Sequence, residues 1–233
     1  EVEACIQALS QRGYEVLVVD TKHPQLAVPA FYTIVPGAHF RERAAGTSVA
    51  MFAAKITMQS FAPDEAIKRL MEMDRLLPGK YFLQFYLGNC YLEQNDPQRA
   101  LPHFARALDL SPADQDIPSI YSYMGVCYKE LGDYENALSV LAKGEALDGE
   151  RTDIYNLMGF CHFMRKEHEA AIRNFEKVIQ LDPSSAIDYA NIASNYRDLG
   201  KKDEAVRYYR LALELDPSID FARNNLERLT GEN

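Results

Sequence analysis

The chain has no tryptophan and only four cysteines among 233 residues. Four cysteines are too few, in a chain this long, for a disulfide-stapled mini-domain. It also lacks any apolar run near the ~18–20 residues that cross a bilayer; the longest, such as Val16–Val19, are strand-sized. Positive charge is in deficit, with 25 Lys+Arg against 34 Asp+Glu and a net charge of −9. Nucleic acids and anionic membranes are read through basic patches, so neither is expected as a partner. No G-x-x-x-x-G-K or G-x-G-x-x-G occurs, which excludes the common phosphate loops. The remainder is ordinary: 47% apolar and 25% charged residues exclude collagen and long disorder. The first residue is Glu1 rather than Met, and no signal-peptide pattern follows it. We therefore expect the chain to begin inside a longer product.

Two regions have different grammar. Up to about Arg43 the text is mixed α/β: an amphipathic stretch over Glu3–Gln11, Gly13 at a helix end, then β-branched runs at Tyr14–Asp20 and Phe31–Val35. Pro24 and Pro29 break any helix between the runs, and Pro36-Gly37 makes a turn. From about Thr47 the chain is nearly continuous helical text punctuated by Pro and Gly.

The second region repeats. Gly88, Gly125, Gly159 and Ala193 recur at intervals of 37, 34 and 34 residues. Ala100, Ala137, Ala171 and Ala205 follow each of them by twelve, and Phe104, Leu141, Phe175 and Tyr209 lie four further on. A breaker comes next at Pro112, Gly149, Pro183 and Pro217. A weaker unit with Ala54, Ala66, Leu70 and Pro78 occupies about 47–80. Small residues let two helices approach closely; we expect the large ones to fill the layer between successive hairpins. The pattern predicts a mainly α fold: five helical hairpins over 47–217, a capping helix and tail over 218–233, and a small α/β fragment with a two-stranded β segment over 1–46.

These features resemble the tetratricopeptide repeat family. The resemblance rests on the 34-residue period, on Tyr155-Asn-Leu-Met-Gly159, on Tyr209 through Pro217 and on the turn Gly132 through Ala137. It implies a right-handed α-α superhelix, a solenoid that binds peptides or proteins in its concave groove. Gln84 and Ala50 stand where the family's first helix usually has an aromatic, and His162 replaces the aromatic found at Tyr91, Tyr128 and Tyr196. Three extra residues within Ser111–Pro118 lengthen one connection.

No catalytic constellation emerges. Cys90, Cys127 and Cys161 recur at one repeat position, and the 34-residue spacing between the nearest two is far from zinc-ligand spacing. They read as buried, reduced packing residues, which fits a cytoplasmic setting. His103 and His168 fall in second helices without a nucleophile's signature. Turn carboxylates such as Asp133 and Asp203-Glu204 read as helix caps and first-turn dipole partners. No cofactor or metal is expected, and the chain reads as non-enzymatic. The groove, lined by first-helix residues off the packing positions, is expected to hold Phe82, Phe85, Asn89, Leu92, Ser122, Val126 and Lys129. It continues with Asn156, Phe160, Phe163, Met164, Asn191, Ser194 and Arg197. The basic Lys–Asn set by which some family members clamp a terminal carboxylate is missing.

The first 40 residues resemble the closing segment of the YcaO-like family. Asp20, Pro24, Leu26, Val28, Pro29, Pro36 and Gly37 fit that segment, while Lys22 and Ala27 depart from it. The resemblance implies ATP- and magnesium-dependent activation of peptide amides in a parent protein, with the ligand-bearing region upstream. Three readings follow: a peptide- or protein-binding scaffold, the substrate-recruiting arm of such an enzyme, or a dimerisation arm pairing through the open strands.

Overall fold

The computed structural model describes Gln7, Gln11, residues 17–20 and 31–34, and residues 49–231. Contacts divide the chain into two units, Glu1–Gly46 and Thr47–Asn233. In the first, β1 (Leu17–Asp20) pairs antiparallel with β2 (Phe31–Ile34), Leu17 opposite Ile34 and Asp20 opposite Phe31. The expected helix over Glu3–Gln11, the proline connector and the Pro36-Gly37 turn lie outside the described residues, Gln7 and Gln11 apart.

The second unit is helical throughout. Its described residues form α1 (Val49–Ser60), α2 (Pro63–Leu76), α3 (Tyr81–Glu93), α4 (Pro97–Asp109), α5 (Ile117–Glu130) and α6 (Tyr134–Leu147). These are followed by α7 (Thr152–Met164), α8 (His168–Leu181), α9 (Ala186–Asp198), α10 (Lys202–Leu215) and α11 (Asp220–Thr230). Short connections make α1–α2 through α9–α10 five helical hairpins.

The repeat glycines are sites of close approach. A Cβ at Gly88 would lie 2.7 Å from the Phe104 ring, one at Gly125 2.5 Å from Leu141, and one at Gly159 2.7 Å from Phe175. Each large residue thus sits on the glycine of its own hairpin. With no Cβ on one helix, the facing side chain occupies the space another would need. Phe104 also stacks on Tyr123 of the next hairpin at 5.5 Å, and Phe175 clusters with Ile192, as expected of residues that fill the layer between hairpins.

Each first helix from α3 to α9 ends in the same way. The carbonyls of Tyr91, Tyr128, His162 and Tyr196 accept the amides of Asp96, Asp133, Glu167 and Lys201, all at 2.9 Å. The residue before each of those amides is left-handed: Asn95, Gly132, Lys166 and Gly200, with φ of 57°, 74°, 61° and 74°. This is the Schellman arrangement, which satisfies carbonyls that have no helical partner. Asp96 and Asp133 then cap the second helices by accepting the amides of Arg99 and Asn136. Glu167 and Lys201 make no such cap.

First helices also meet across repeats, α1 with α3, α3 with α5 and α5 with α7. That places them on the inner side of the stack. The lengthened connection holds a left-handed Ser111 and a 3-10 turn at Asp114–Asp116. Asp116 accepts the Tyr81 hydroxyl at 2.5 Å, tying this connection back to α3.

Candidate functional site

The inner face changes character along its length. On α3 it is closed. Phe82 and Asn89 are only 5% and 9% exposed, contrary to their expected place on the open face. The Asn89 amide turns back to donate to the Phe85 carbonyl at 2.9 Å. Ser122 on α5 is buried as well and donates to Asp153 at 2.6 Å. Apolar residues surround α3 almost completely, so it packs on nearly every side. Phe85 is half-buried, its ring edge-on to Phe104 and Tyr123 at 5.8 and 5.2 Å.

The middle is polar. Arg151 grips Asp153 with Nε at 3.0 Å and a terminal nitrogen at 2.8 Å, and donates to Ser119 at 2.8 Å. Burial opposes ionisation of Asp153, yet the bonds from Arg151 and Ser122 outweigh it and hold its carboxyl below the usual range. Asp188 on α9 is 2% exposed and stands where the earlier repeats carry buried Leu83, Ile120 and Ile154. It accepts Asn156 Nδ2 and Ser185 Oγ, both at 2.6 Å, and Asn191 Nδ2 at 3.3 Å. Asn156, expected to face a ligand, is engaged in holding this carboxylate. Asp153, Asp182 and Asp188 line one open pocket of about 500 Å³, with Arg151 on its wall.

The C-terminal end is an aromatic pocket of about 280 Å³. Phe160 and Phe163 from α7 meet Asn191, Ser194 and Arg197 from α9 there. Phe221 and Asn225, from α11, complete the wall. Phe160 is 38% exposed and Phe221 40%. Arg197 is held by Asp198 at 2.8 and 2.7 Å and donates to Asn225 Oδ1 at 2.9 Å. Lys129 pairs with Glu130 at 2.7 Å and lies 5.3 Å from the Phe160 ring centre. Met164 is exposed and lines a separate pocket with Lys166 and His168.

Of the expected groove residues, then, Phe160, Phe163, Asn191, Ser194 and Arg197 converge on one pocket. Phe221 and Asn225 were missed. Their signal was present: Asn225 follows Asn191 by 34 residues, so the period runs on past Pro217 into α11. Cys90, Cys127 and Cys161 are buried and unpaired, with thiols pushed up by burial to about 11, 12 and 11. Such thiols pack rather than react. His103 contacts Gln84 at 2.8 Å and His168 contacts Asn195 at 3.0 Å, so each ring pairs with a side-chain amide.

Tetratricopeptide repeat family models match residues 64–115, 91–161 and 150–218. A model for the YcaO cyclodehydratase, ATP- and Mg2+-binding, matches residues 1–39. No curated protein matches the chain. Among solved structures, MamA is similar at 24% identity and a TM-score of 0.65, covering 72% of this chain and 91% of that one. MamA from Desulfovibrio magneticus RS-1 is similar at 20% identity and 0.65, covering 74% and 98%. YrrB, described as a TPR protein with an unusual peptide-binding site, is similar at 18% identity and 0.66, covering 76% and 89%. At these identities the likeness is one of fold. Together with the repeat geometry, the matched stretches establish that this chain belongs to the tetratricopeptide repeat family.

Proposed function

We propose that the repeats form a protein-interaction module that holds a peptide segment of its partner along the inner face. The observation that carries this reading is the pair Phe160 and Phe221, exposed rings flanking one pocket edged by side-chain amides. Folding alone does not require apolar residues at open positions, and such patches mark interaction sites. Side-chain amides supply both donor and acceptor to a peptide backbone. The test is selection of binders from a displayed random-peptide library on the full chain. Binders that are lost on Phe160→Asp, while helical melting stays cooperative, support the reading. Binders indifferent to that substitution overturn it.

A second reading is favoured by the match at residues 1–39. In it the repeats recruit substrate for ATP- and Mg2+-dependent amide activation by the protein that carries this segment. Its test is ATP turnover by that natural gene product with a selected peptide. Stimulation by the peptide should vanish with Phe160→Asp, and unaltered stimulation would sink it.

A further inference from the structure

We infer that the inner face selects an extended segment with two marks: a bulky uncharged side chain seated between Phe160 and Phe221, and a lysine or arginine about three residues away. The inference rests on the groove reading and names the ligand's chemistry.

The anchor follows from the pocket's charge. Its walls combine phenylalanine rings with side-chain amides, and among the described residues Arg197 is its only charged lining residue. That guanidinium is already held by Asp198 and Asn225. A charged side chain entering here would lose its water without gaining a free counter-ion. A ring or branched alkyl group gains aromatic contact instead. Beside it, the Asn191 side chain donates a long bond, 3.3 Å, to Asp188, and its carbonyl oxygen accepts no hydrogen bond from the described residues. That leaves an amide free to pair with the ligand's backbone.

The basic residue follows from what adjoins the anchor. Asp188 and Asn191 lie one turn apart on α9, so the aromatic pocket and the polar one share a boundary. Among the described residues, the polar pocket sets Asp153, Asp182 and Asp188 against Arg151 alone. Asp153 and Asp182 are both held below the usual carboxylate range, so they are ionised at neutral pH. The whole chain carries −9, which steers cationic segments toward it and acidic ones away.

The spacing follows from helix geometry. Asp153 and Phe160 are seven residues apart on α7. They share a face about 10 Å long at ~1.5 Å per residue. An extended peptide covers about 3.3 Å per residue, so the two marks fall about three residues apart.

The experiment is selection from a phage-displayed random dodecapeptide library on the full chain, followed by synthesis of an enriched peptide. Enriched sequences should pair Phe, Leu, Met, Tyr or Trp with Lys or Arg at that spacing. Phe221→Asp should weaken the synthetic peptide about tenfold or more. Asp153→Asn should weaken it about threefold to tenfold and flatten its salt dependence. Circular dichroism checks each variant's fold, and Phe160→Ser replaces Phe221→Asp if α11 is lost. Enriched peptides that are acidic, or that lack either mark, overturn the inference. If those peptides still lose binding with Phe160→Asp, the groove reading survives. If no peptide is enriched, or none responds to a groove substitution, both fail.

Discussion

Repeats built from the same register treat their inner layer in opposite ways. Between Tyr81 and Leu147 it is largely aromatic and apolar, with Phe85 set edge-on to Phe104 and Tyr123. In the repeat formed by α9 and α10 it is polar and networked. There Asp188 takes the place of Leu83, Ile120 and Ile154, and Asn195 takes the place of the three buried cysteines. Asn195, 1% exposed, donates to the Asn191 carbonyl at 2.8 Å and contacts His168 at 3.0 Å. The Schellman ends do not change between the two regions, whereas the glycine of the earlier repeats is Ala193 in the second. The scaffold therefore tolerates buried polarity where each group finds a partner, and among the described residues no buried side-chain nitrogen or oxygen lacks one.

The aromatic region is broken most severely at its close contacts. Gly125→Val forces a branched side chain into Leu141, whose nearest atom lies 2.5 Å from the Cβ position. We expect a loss of about 3 kcal/mol, read by urea unfolding. The polar region is tested at Asp188. Replacing it with the leucine of the earlier repeats, Asp188→Leu, removes the acceptor of Asn156 and Ser185. A cost of ~2 kcal/mol is expected from the stranded donors. Stabilisation instead would mean that the network is dispensable.

Acid separates the regions further. The Asp153 carboxyl is depressed in the folded state, so its contribution is present above its unfolded value, about 3.9, and is lost as pH falls through the folded one. Asp153→Asn should flatten the decline in stability below about pH 4, measured by urea unfolding at stepped pH. An unchanged slope would remove Asp153 from the acid response. The smallest effect concerns a shared feature. Lys166 holds the left-handed position that Gly132 and Gly200 occupy elsewhere, at φ 61°. Lys166→Gly should raise stability by roughly 0.5–1 kcal/mol, read as a small rise in Tm.

Much of the fold was legible in the residues. The 34-residue period, the small residue at Gly88, Gly125 and Gly159 and the breakers at Pro183 and Pro217 are local and recurring, so each copy reinforces the others. That Phe104, Leu141 and Phe175 also sit on the glycines of their own hairpins was not foreseen, because spacing along a helix does not tell which neighbouring helix a side chain meets. The site was legible only in part. Phe160, Asn191 and Arg197 line one pocket, whereas Asn89 turned inward to its own helix and Ser122 was taken up by Asp153 31 residues away. Asn225 was hidden because the family's breaker at Pro217 suggested that the groove ended there.

By itself, then, the sequence determined the hairpin, its period, its close-packed glycines and its helix ends. All of these depend on residues within about one repeat of each other, where backbone preference and side-chain size act directly. Which inner-face residues remain open was decided only in the tertiary structure. Exposure there depends on partners a full repeat away, such as Asp188 for Asn156 and Asn225 for Arg197, and on α11 closing the last pocket with Phe221. Stacking brings those groups together, and no local preference records it.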